Sequence, residues 1–203
     1  MAIRDLLWAC PVCRTFSSIR DGGRSGEVCT SCGTRFRRGS GATIQVTRPG
    51  GARQIRSPAE LEDALPSFSE MPLENGRLGP APAIVRVVRS DMPIAFRGEY
   101  LGRAESFGPR ISGTVTLDER TLAVGIPEAP MVWPIESITA VQPSSAAIQI
   151  NSRIHPLASI RFVEQSVRLW EAALHDRIRH VYAGTGRGRV TQFHPRIRVA
   201  RAG

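Results

Sequence analysis

The chain has no lysine, few aromatic residues and no long apolar run. All 27 of its basic side chains are arginine, and aromatic residues make up 6% of its 203 positions. No segment approaches the roughly 20 consecutive apolar residues that a membrane-spanning helix needs. Residues 1–8 are too short and too charged for a secretory signal. We therefore expect neither a membrane span nor a signal peptide.

Positive charge is concentrated at the two ends of the chain, whose formal net charge is +9. Residues 1–60 hold ten arginines and four acids, and residues 181–203 hold five arginines and no acid. A basic end can bind nucleic-acid phosphate, anionic lipid or an acidic protein. The alternative is a solvated surface that is merely biased toward arginine.

The four cysteines form two closely spaced pairs, Cys10-Pro-Val-Cys13 and Cys29-Thr-Ser-Cys32, with 15 residues between the pairs. A two-residue gap lets one tight turn direct both thiols at a single point, and two such turns make the closed tetrahedral cage of a structural zinc site. A rubredoxin-like iron site, two disulfides or a redox-active Cys10/Cys13 pair are the alternatives. A cage that uses all four thiols leaves none for disulfides, so we expect a reducing cytoplasm.

This cysteine pattern resembles the zinc-ribbon family over roughly residues 6–40. Strand-like segments at 14–19 and 33–38 follow the two pairs, as they do in a ribbon with two knuckles on a small antiparallel sheet. The resemblance implies one structural Zn²⁺ held by all four cysteines. With a short hairpin and a helix that Ser57 caps, this first unit is predicted to span residues 1–66.

A Pro/Gly-rich stretch without periodicity, residues 67–83, is predicted to be a linker. The second unit, residues 84–183, contains short strands, including a hairpin over 111–126, and ends in an amphipathic helix. The apolar stripe of that helix comprises Val163, Val167, Trp170, Leu174, Ile178 and Val181. Residues 184–203 are predicted to be a basic flexible tail, part of which could be a short strand or a docking peptide.

The order of short strands followed by one C-terminal helix resembles the pleckstrin-homology-like superfold, including its GRAM members. A small lipocalin-like barrel is the competing interpretation. The resemblance implies a barrel or sandwich that binds peptides, anionic lipid or assembly partners. Its headgroup loop would fall at 105–110, where Arg110 is the one basic residue. That departure from the basic loops of phosphoinositide-binding members argues against a specific phosphoinositide.

Arginines supply the candidate anion-binding or partner-binding residues. Three follow the second cysteine pair, one lies in the headgroup loop, and four lie in the tail: Arg35, Arg37, Arg38, Arg110, Arg187, Arg189, Arg196 and Arg198. Within a strand, Arg35 and Arg37 share one face and Arg38 lies on the other. The four histidines have no catalytic or ligand spacing, and we expect no enzyme and no small-molecule substrate.

The sequence therefore predicts a mostly β, α+β protein in which a zinc ribbon is joined to a pleckstrin-homology-like domain. We expect a non-catalytic cytoplasmic adaptor for a protein partner or an anionic membrane surface, in which case it is peripheral to the inner face of the membrane. The alternative is a regulator that grips nucleic-acid phosphates through the ribbon and the arginine-rich tail. A third interpretation is an accessory enzyme subunit that docks through residues 193–197.

Overall fold

The computed structural model describes residues 3–71, 73, 76–127, 130–144, 146–194 and 196–200. Strands hold 46% of the residues and helices 19%, which confirms the mostly β, α+β class. Within the described residues, no helix is long and apolar enough to cross a membrane.

The helices are α1 (Ile3–Leu6), α2 (Pro58–Asp63) and α3 (Val167–Gly184). The strands are β1 (Ile19–Asp21), β2 (Glu27–Cys29), β3 (Arg35–Arg38), β4 (Ile44–Thr47), β5 (Arg53–Arg56), β6 (Leu78–Phe96), β7 (Glu99–Phe107), β8 (Ile111–Leu117), β9 (Thr121–Gly125), β10 (Met131–Pro134), β11 (Ile138–Pro143), β12 (Ile148–Ser152), β13 (Ala158–Phe162), β14 (Arg189–Gln192) and β15 (Arg198–Ala200).

The first five strands form an antiparallel meander in chain order. One face of this N-terminal sheet carries Phe36, Ile44 and Val46, all at most 3% exposed. These side chains pack with Ile3 of α1 and Leu61 of α2 into one small core.

Two local predictions in this unit have different outcomes. The capping box of α2 is confirmed, because the Ser57 hydroxyl accepts from the Glu60 amide and the Glu60 carboxylate accepts from the Ser57 amide. The strand expected over 14–19 is wrong, because β1 begins only at the end of that range. Arg14 and Ser17 have positive φ angles of 61° and 48°, which an extended strand does not contain.

The second sheet is a curled half-barrel with strand order β10-β9-β8-β6-β13-β12-β11. Helix α3 covers its concave side, where Trp170 is fully buried and stacks on Phe162 with 4.5 Å between ring centroids. Leu174 and Ile178 of the predicted stripe are also buried. Val163 is not part of the stripe, because it precedes the helix and is 52% exposed.

The predicted linker at 67–83 needs a correction, because β6 already begins at Leu78. Ala81 and Ala83 lie inside the core of the curled sheet at 0% and 2% exposure, while Pro82 between them is exposed. In this strand, small residues point inward and prolines point outward. Because such a pattern contains few large apolar residues, the sequence predicted a linker here and not a strand.

The two units pack against each other in the described residues and are not separated by a flexible tether. The Ser166 hydroxyl donates to the Asp5 carbonyl at 2.7 Å. Arg14 and Glu70 form an ion pair at 2.8 Å, and Trp8 packs against both hydrophobic cores. The N-terminal unit therefore packs directly against the second unit.

The predicted flexible tail, residues 184–203, is largely ordered in the described residues. Strands β14 and β15 pair as an antiparallel hairpin, and Val190 and Phe193 are buried in the main core. The Ile197 amide donates to the Thr139 carbonyl at 2.8 Å. The segment expected to dock an enzyme subunit is therefore packed on its own chain.

Candidate metal centre and candidate docking surfaces

Four thiols meet beside the N-terminal sheet. The sulfurs of Cys10, Cys13, Cys29 and Cys32 all lie within 4.8 Å of one another. The Cys10–Cys32 pair is separated by 3.8 Å and the Cys13–Cys29 pair by 3.6 Å. Thiolates placed ~2.3 Å from a tetrahedral zinc have S···S edges of about 3.8 Å. All four cysteines are free thiols, and the cluster can hold one metal ion.

The two Cys-x-x-Cys turns share the same backbone hydrogen bonds. The amide four residues after each first cysteine donates to its carbonyl, from Arg14 to Cys10 at 2.8 Å and from Gly33 to Cys29 at 2.9 Å. Both donors have positive φ, 61° for Arg14 and 72° for Gly33. Glycine takes this conformation freely, whereas arginine must be held in it by the surrounding turn.

A threonine two residues after each second cysteine extends the repeated motif to Cys-x-x-Cys-x-Thr. The hydroxyl oxygen of Thr15 lies 3.3 Å from the sulfur of Cys13, and that of Thr34 lies 3.1 Å from the sulfur of Cys32. Groups that hydrogen-bond to metal ligands fix them in position and tune their basicity. Sequence reasoning did not single out these threonines, although the repeat is visible in the sequence.

Burial and hydrogen bonding shift the pKa values of two of the thiols in opposite directions. Burial raises the pKa of Cys10 above its ordinary value. Burial also raises the pKa of Cys29, but the Ser18 hydroxyl and the backbone amides of Cys32 and Ser31 outweigh it and lower the pKa to about 6. The Ser18 oxygen lies 3.3 Å from the Cys29 sulfur. Cys29 therefore gives up its proton readily to an incoming metal ion.

The four thiols provide a complete set of ligands for a tetrahedral metal ion. Four protein sulfurs would fill a tetrahedral coordination sphere, so an ion held by them would have no position for water or substrate. Cys10 and Cys29 are fully buried, which shields the centre from solvent. An ion held in this way would stabilise the fold around it and would not activate a water molecule.

The exposed face of the N-terminal sheet carries arginines in register. Cross-strand pairing places Arg20, Arg35 and Arg53 in one row that crosses all five strands. Arg37 lies on the same face of β3, two residues beyond Arg35, and all four are exposed. We call this set, Arg20, Arg35, Arg37 and Arg53, the arginine face.

The acidic residues of β1 and β2 lie on the other side of the sheet. Asp21 pairs with Glu27, and Glu27 pairs with the buried Phe36. Burial raises the pKa of Glu27, against the opposing effect of a 2.9 Å hydrogen bond from the Arg4 amide. Ile55, which is 74% exposed, lies on the same side of the sheet as the arginine face, so an apolar side chain adjoins the positive charge.

The other predicted arginines are exposed but lie apart from the arginine face. Arg38 is on the opposite face of β3, and Arg110 lies in the turn before β8. The Arg187 guanidinium lies over the Tyr182 ring at 5.6 Å and reaches the Glu136 carbonyl at 3.4 Å. The remaining tail arginines lie on or beside the β14–β15 hairpin: Arg189, Arg196 and Arg198.

A two-stranded hairpin extends from the curled sheet, and sequence reasoning missed it. Strand β6 pairs with β8 as far as Val85 and with β13 as far as Val87. From Val88 to Phe96 it pairs with β7 alone. We call this hairpin, residues 88–107, the arm.

The arm exposes large apolar side chains on both strands. Their exposed fractions are 64%, 44%, 62%, 66% and 64% for Met92, Ile94, Phe96, Tyr100 and Leu101. The signal in the sequence was the continuous apolar run at 92–96, which lacks the alternation expected of a half-buried strand. The headgroup loop predicted at 105–110 comprises the end of this arm and the turn that follows it.

The histidines do not assemble into a site. Nε2 of His155 lies 3.1 Å from the Val132 carbonyl oxygen, and His175 stacks on Phe193 at 3.7 Å. Across the described residues, the four cysteines are the one group of three or more metal-ligating side chains close enough to share an ion. Comparison with protein-family models, with curated proteins and with solved structures finds no match to this chain.

Proposed function

We propose that this chain is a non-catalytic cytoplasmic adaptor whose arm docks on a protein partner. The observation that carries the proposal is the exposure of five large apolar side chains on the arm, between 44% and 66% each. Met92, Ile94 and Phe96 share one face of the arm, and exposed apolar side chains clustered in this way mark interaction sites in soluble proteins. A two-stranded hairpin is also marginal on its own in water and gains stability when another surface covers it.

The rest of the chain suits the role of a rigid platform. The N-terminal unit contacts the rest of the chain through the Ser166–Asp5 hydrogen bond at the N-cap of α3 and through the Arg14–Glu70 ion pair. The curled sheet consists of two antiparallel meanders joined through β6 and β13, with α3 over its concave side. This arrangement supports the proposal that the second unit is pleckstrin-homology-like, a scaffold that serves binding more often than catalysis.

We propose that the metal is a single structural Zn²⁺. The four-thiol donor set, the 3.6 and 3.8 Å sulfur separations and the burial of Cys10 and Cys29 support this assignment. Iron in a rubredoxin-like site uses the same donors. Metal analysis of purified protein separates the two, because iron would give visible charge-transfer colour and zinc gives none.

The arm favours a protein over a lipid surface. Its turn carries Arg97 and Glu99, and a membrane would have to accept these charged residues before the apolar residues behind them. A lipid contact through the arm should therefore be weak. We expect little flotation with neutral or anionic vesicles at physiological salt.

The test compares the wild-type chain with the double variant Ile94→Asp/Phe96→Asp. Each tagged protein is expressed in its cell of origin and purified through its tag. The proteins that co-purify with it are then identified by mass spectrometry. We expect a specific set of proteins that the double variant loses and that the control variant Ile154→Asp keeps. Identical retention by the wild type and the double variant would contradict the proposal, and arm-dependent flotation would reassign the arm to lipid.

A second candidate function rests on the arginine face. Four exposed arginines, Arg20, Arg35, Arg37 and Arg53, share one side of the sheet with no acid from β1 or β2 among them. This favours contact with a phosphate backbone. The face offers no aromatic side chain for stacking on bases, so the binding would be largely independent of sequence.

Salt dependence tests this second function. The double variant Arg35→Gln/Arg53→Gln should reduce the slope of log K against log salt by about 1 to 2 for nucleic acid. A matched control, Arg153→Gln/Arg161→Gln, removes the same charge from the curled-sheet unit and should leave the slope unchanged. Equal effects of the two pairs would show that only net charge matters and would dismiss the arginine face as a site.

A further inference from the structure

We infer that the free edge of strand β5 binds an acidic peptide segment of another protein, which adds to the five-stranded N-terminal sheet as a further strand. The inference goes beyond the docking role proposed for the arm and does not depend on it. It follows from the direction of the backbone hydrogen bonds in β5 and from the charge beside them.

The backbone of β5 directs two residues at the free edge. Strand β5 is the last strand of its sheet and pairs with β4 alone. The Arg48 amide donates to the Ala52 carbonyl at 2.9 Å, and bonded and non-bonded pairs alternate along an antiparallel ladder. Gln54 therefore bonds to β4, while the amides and carbonyls of Arg53 and Ile55 point away from it.

This edge is open to solvent. All four residues of β5 are exposed, and Ile55, at 74%, has the largest exposed fraction among the large apolar side chains of the described chain. No backbone hydrogen bond from another part of the described chain reaches Arg53 or Ile55. Their amides and carbonyls are groups that an extended peptide satisfies together when it adds to a sheet.

The end strands of the curled sheet are protected in ways that β5 is not. At the β11 end, the Thr139 carbonyl accepts from the Ile197 amide at 2.8 Å, and the strand ends in Pro143. At the β10 end, Nε2 of His155 lies 3.1 Å from the Val132 carbonyl oxygen. Covering segments and prolines prevent strand addition, and β5 has neither among the described residues.

The charge beside the edge indicates the chemistry of the partner. Arg53 shares its face of the sheet with Arg35, and Arg48 is exposed between β4 and β5. Neither Arg35 nor Arg53 has an ion pair with a described residue, whereas Arg56 pairs with Glu60 at 3.3 Å. Arginines along an edge repel a second copy of β5 and attract a strand that carries carboxylates.

Alternation along β5 predicts the pattern of the peptide. Arg53 and Ile55 lie on one face of the sheet, two residues apart. A neighbouring strand gains most from a carboxylate beside Arg53 and an apolar side chain beside Ile55. A nucleic acid could contact the arginine side chains, but its phosphates offer acceptors and no donor for the outward carbonyls, and it would leave Ile55 uncovered. The edge therefore favours a peptide.

Titration of the full-length, zinc-loaded protein with a designed peptide tests the inference. The peptide is about ten residues long, with threonine at every odd position and glutamate and valine alternating at the even positions. We expect saturable binding below about 1 mM, followed by amide NMR. Hydrogen exchange should slow at the amides of Arg53 and Ile55 and stay unchanged at Gln54, which already bonds to β4. Unchanged exchange at both Arg53 and Ile55 would overturn the inference.

A charge exchange tests the selectivity. Arg53→Glu should weaken binding of the glutamate peptide about 10-fold or more and should bind a peptide with lysine in place of glutamate. The matched control Arg161→Glu makes the same change at an exposed residue of β13 and should bind the glutamate peptide like the wild type. Equal loss in the two variants would show that only net charge matters and would dismiss the edge as the site.

Proline at the edge tests the backbone pairing. Ile55→Pro removes an outward amide without removing a bond to β4, which an edge strand tolerates. We expect the Kd for the glutamate peptide to rise about 10-fold or more, while Ile55→Val, which keeps the amide, binds like the wild type. Unchanged affinity in Ile55→Pro would overturn strand addition. A single-stranded oligonucleotide that protects the Arg53 and Ile55 amides would overturn the assignment of the edge to a peptide.

Discussion

The hydroxyl of Ser166 donates to the main-chain carbonyl of Asp5 at 2.7 Å, across 161 positions of sequence. The same hydroxyl accepts from the Arg168 amide at 3.2 Å and so caps the N-terminus of α3. Ser166 is 6% exposed, so water does not replace either bond easily. One side chain therefore caps the long helix and also joins the N-terminal unit to it.

Ser166→Ala should lower the free energy of unfolding by about 2 kcal/mol, because it removes a helix cap and leaves a carbonyl without its donor. Ser166→Asp keeps an acceptor for the cap but has no proton for Asp5. It should therefore preserve α3 while amide exchange accelerates over residues 3–7. Ser57→Ala, which removes the cap of α2, is the control. Unchanged exchange over 3–7 in both Ser166 variants would contradict this role.

Cys29→Ser should abolish stoichiometric metal binding and unfold residues 6–40. Metal binding to four-thiol sites is worth roughly 10–16 kcal/mol in small peptides, more than the small core of this unit supplies. Metal content and hydrogen exchange measure the two effects, with Ser31→Ala as a control in the same turn. The curled sheet should keep its protection, because its core is separate. A variant with full metal content would show that the cluster is not the binding site.

Thr15→Val and Thr34→Val should each weaken metal binding about 10- to 100-fold, the usual cost of losing a group that hydrogen-bonds to a ligand. Valine matches threonine in shape, so the fold should be retained. Competition with a chromophoric chelator measures the affinity. Thr43→Val removes a hydroxyl that bonds to the Ser40 carbonyl away from the cluster and should have no effect. Equal affinities in all three variants would dismiss the threonines as supporting groups.

Stability should fall as the pH drops from about 6.5 to about 4, in part through His175. Burial, reinforced by Arg179, lowers the pKa of His175 from 6.5 to about 4. The unfolded chain therefore takes up a proton at higher pH than the folded protein, which favours unfolding in that window and levels off below it. After allowance for the partial exposure of the ring, the loss is about 2 kcal/mol.

His175→Phe keeps the stack on Phe193 and removes the titration, so its stability should fall less over the same window. Denaturant unfolding at several pH values measures the difference, and the difference cancels any acid-driven release of metal common to both proteins. His180→Phe, at an exposed position on the same helix, should behave like the wild type. Parallel pH profiles for wild type and His175→Phe would rule out this contribution.

Local signals predicted the clustering of the four cysteines and the C-terminal helix. Two thiols separated by two residues define one tight turn, and a stripe such as Trp170, Leu174 and Ile178 defines one helix face. Each signal depends on neighbours along the chain, so no knowledge of the fold was needed. The first turn closes on Arg14 at positive φ, which residue preference alone does not predict.

Features that depend on strand pairing were not predictable in the same way. Arg20, Arg35 and Arg53 share a row only because five strands pair in one register. The arm was missed because its apolar run is exposed and lacks alternation. The tail looked flexible from its glycines and arginines, yet Phe193 inserts into the core beside His175, a contact set by the tertiary fold.

Site-specific photo-crosslinking at position 94 tests the central claim most directly. A photoreactive residue replaces Ile94 on the arm, and a parallel protein carries it at Ile154, an exposed position away from the arm. The account predicts protein adducts at position 94 in the cell of origin and none at position 154, with mass spectrometry showing whether the partner is a second copy. Absence of protein adducts at position 94, or equal adducts at both positions, would contradict the docking role of the arm.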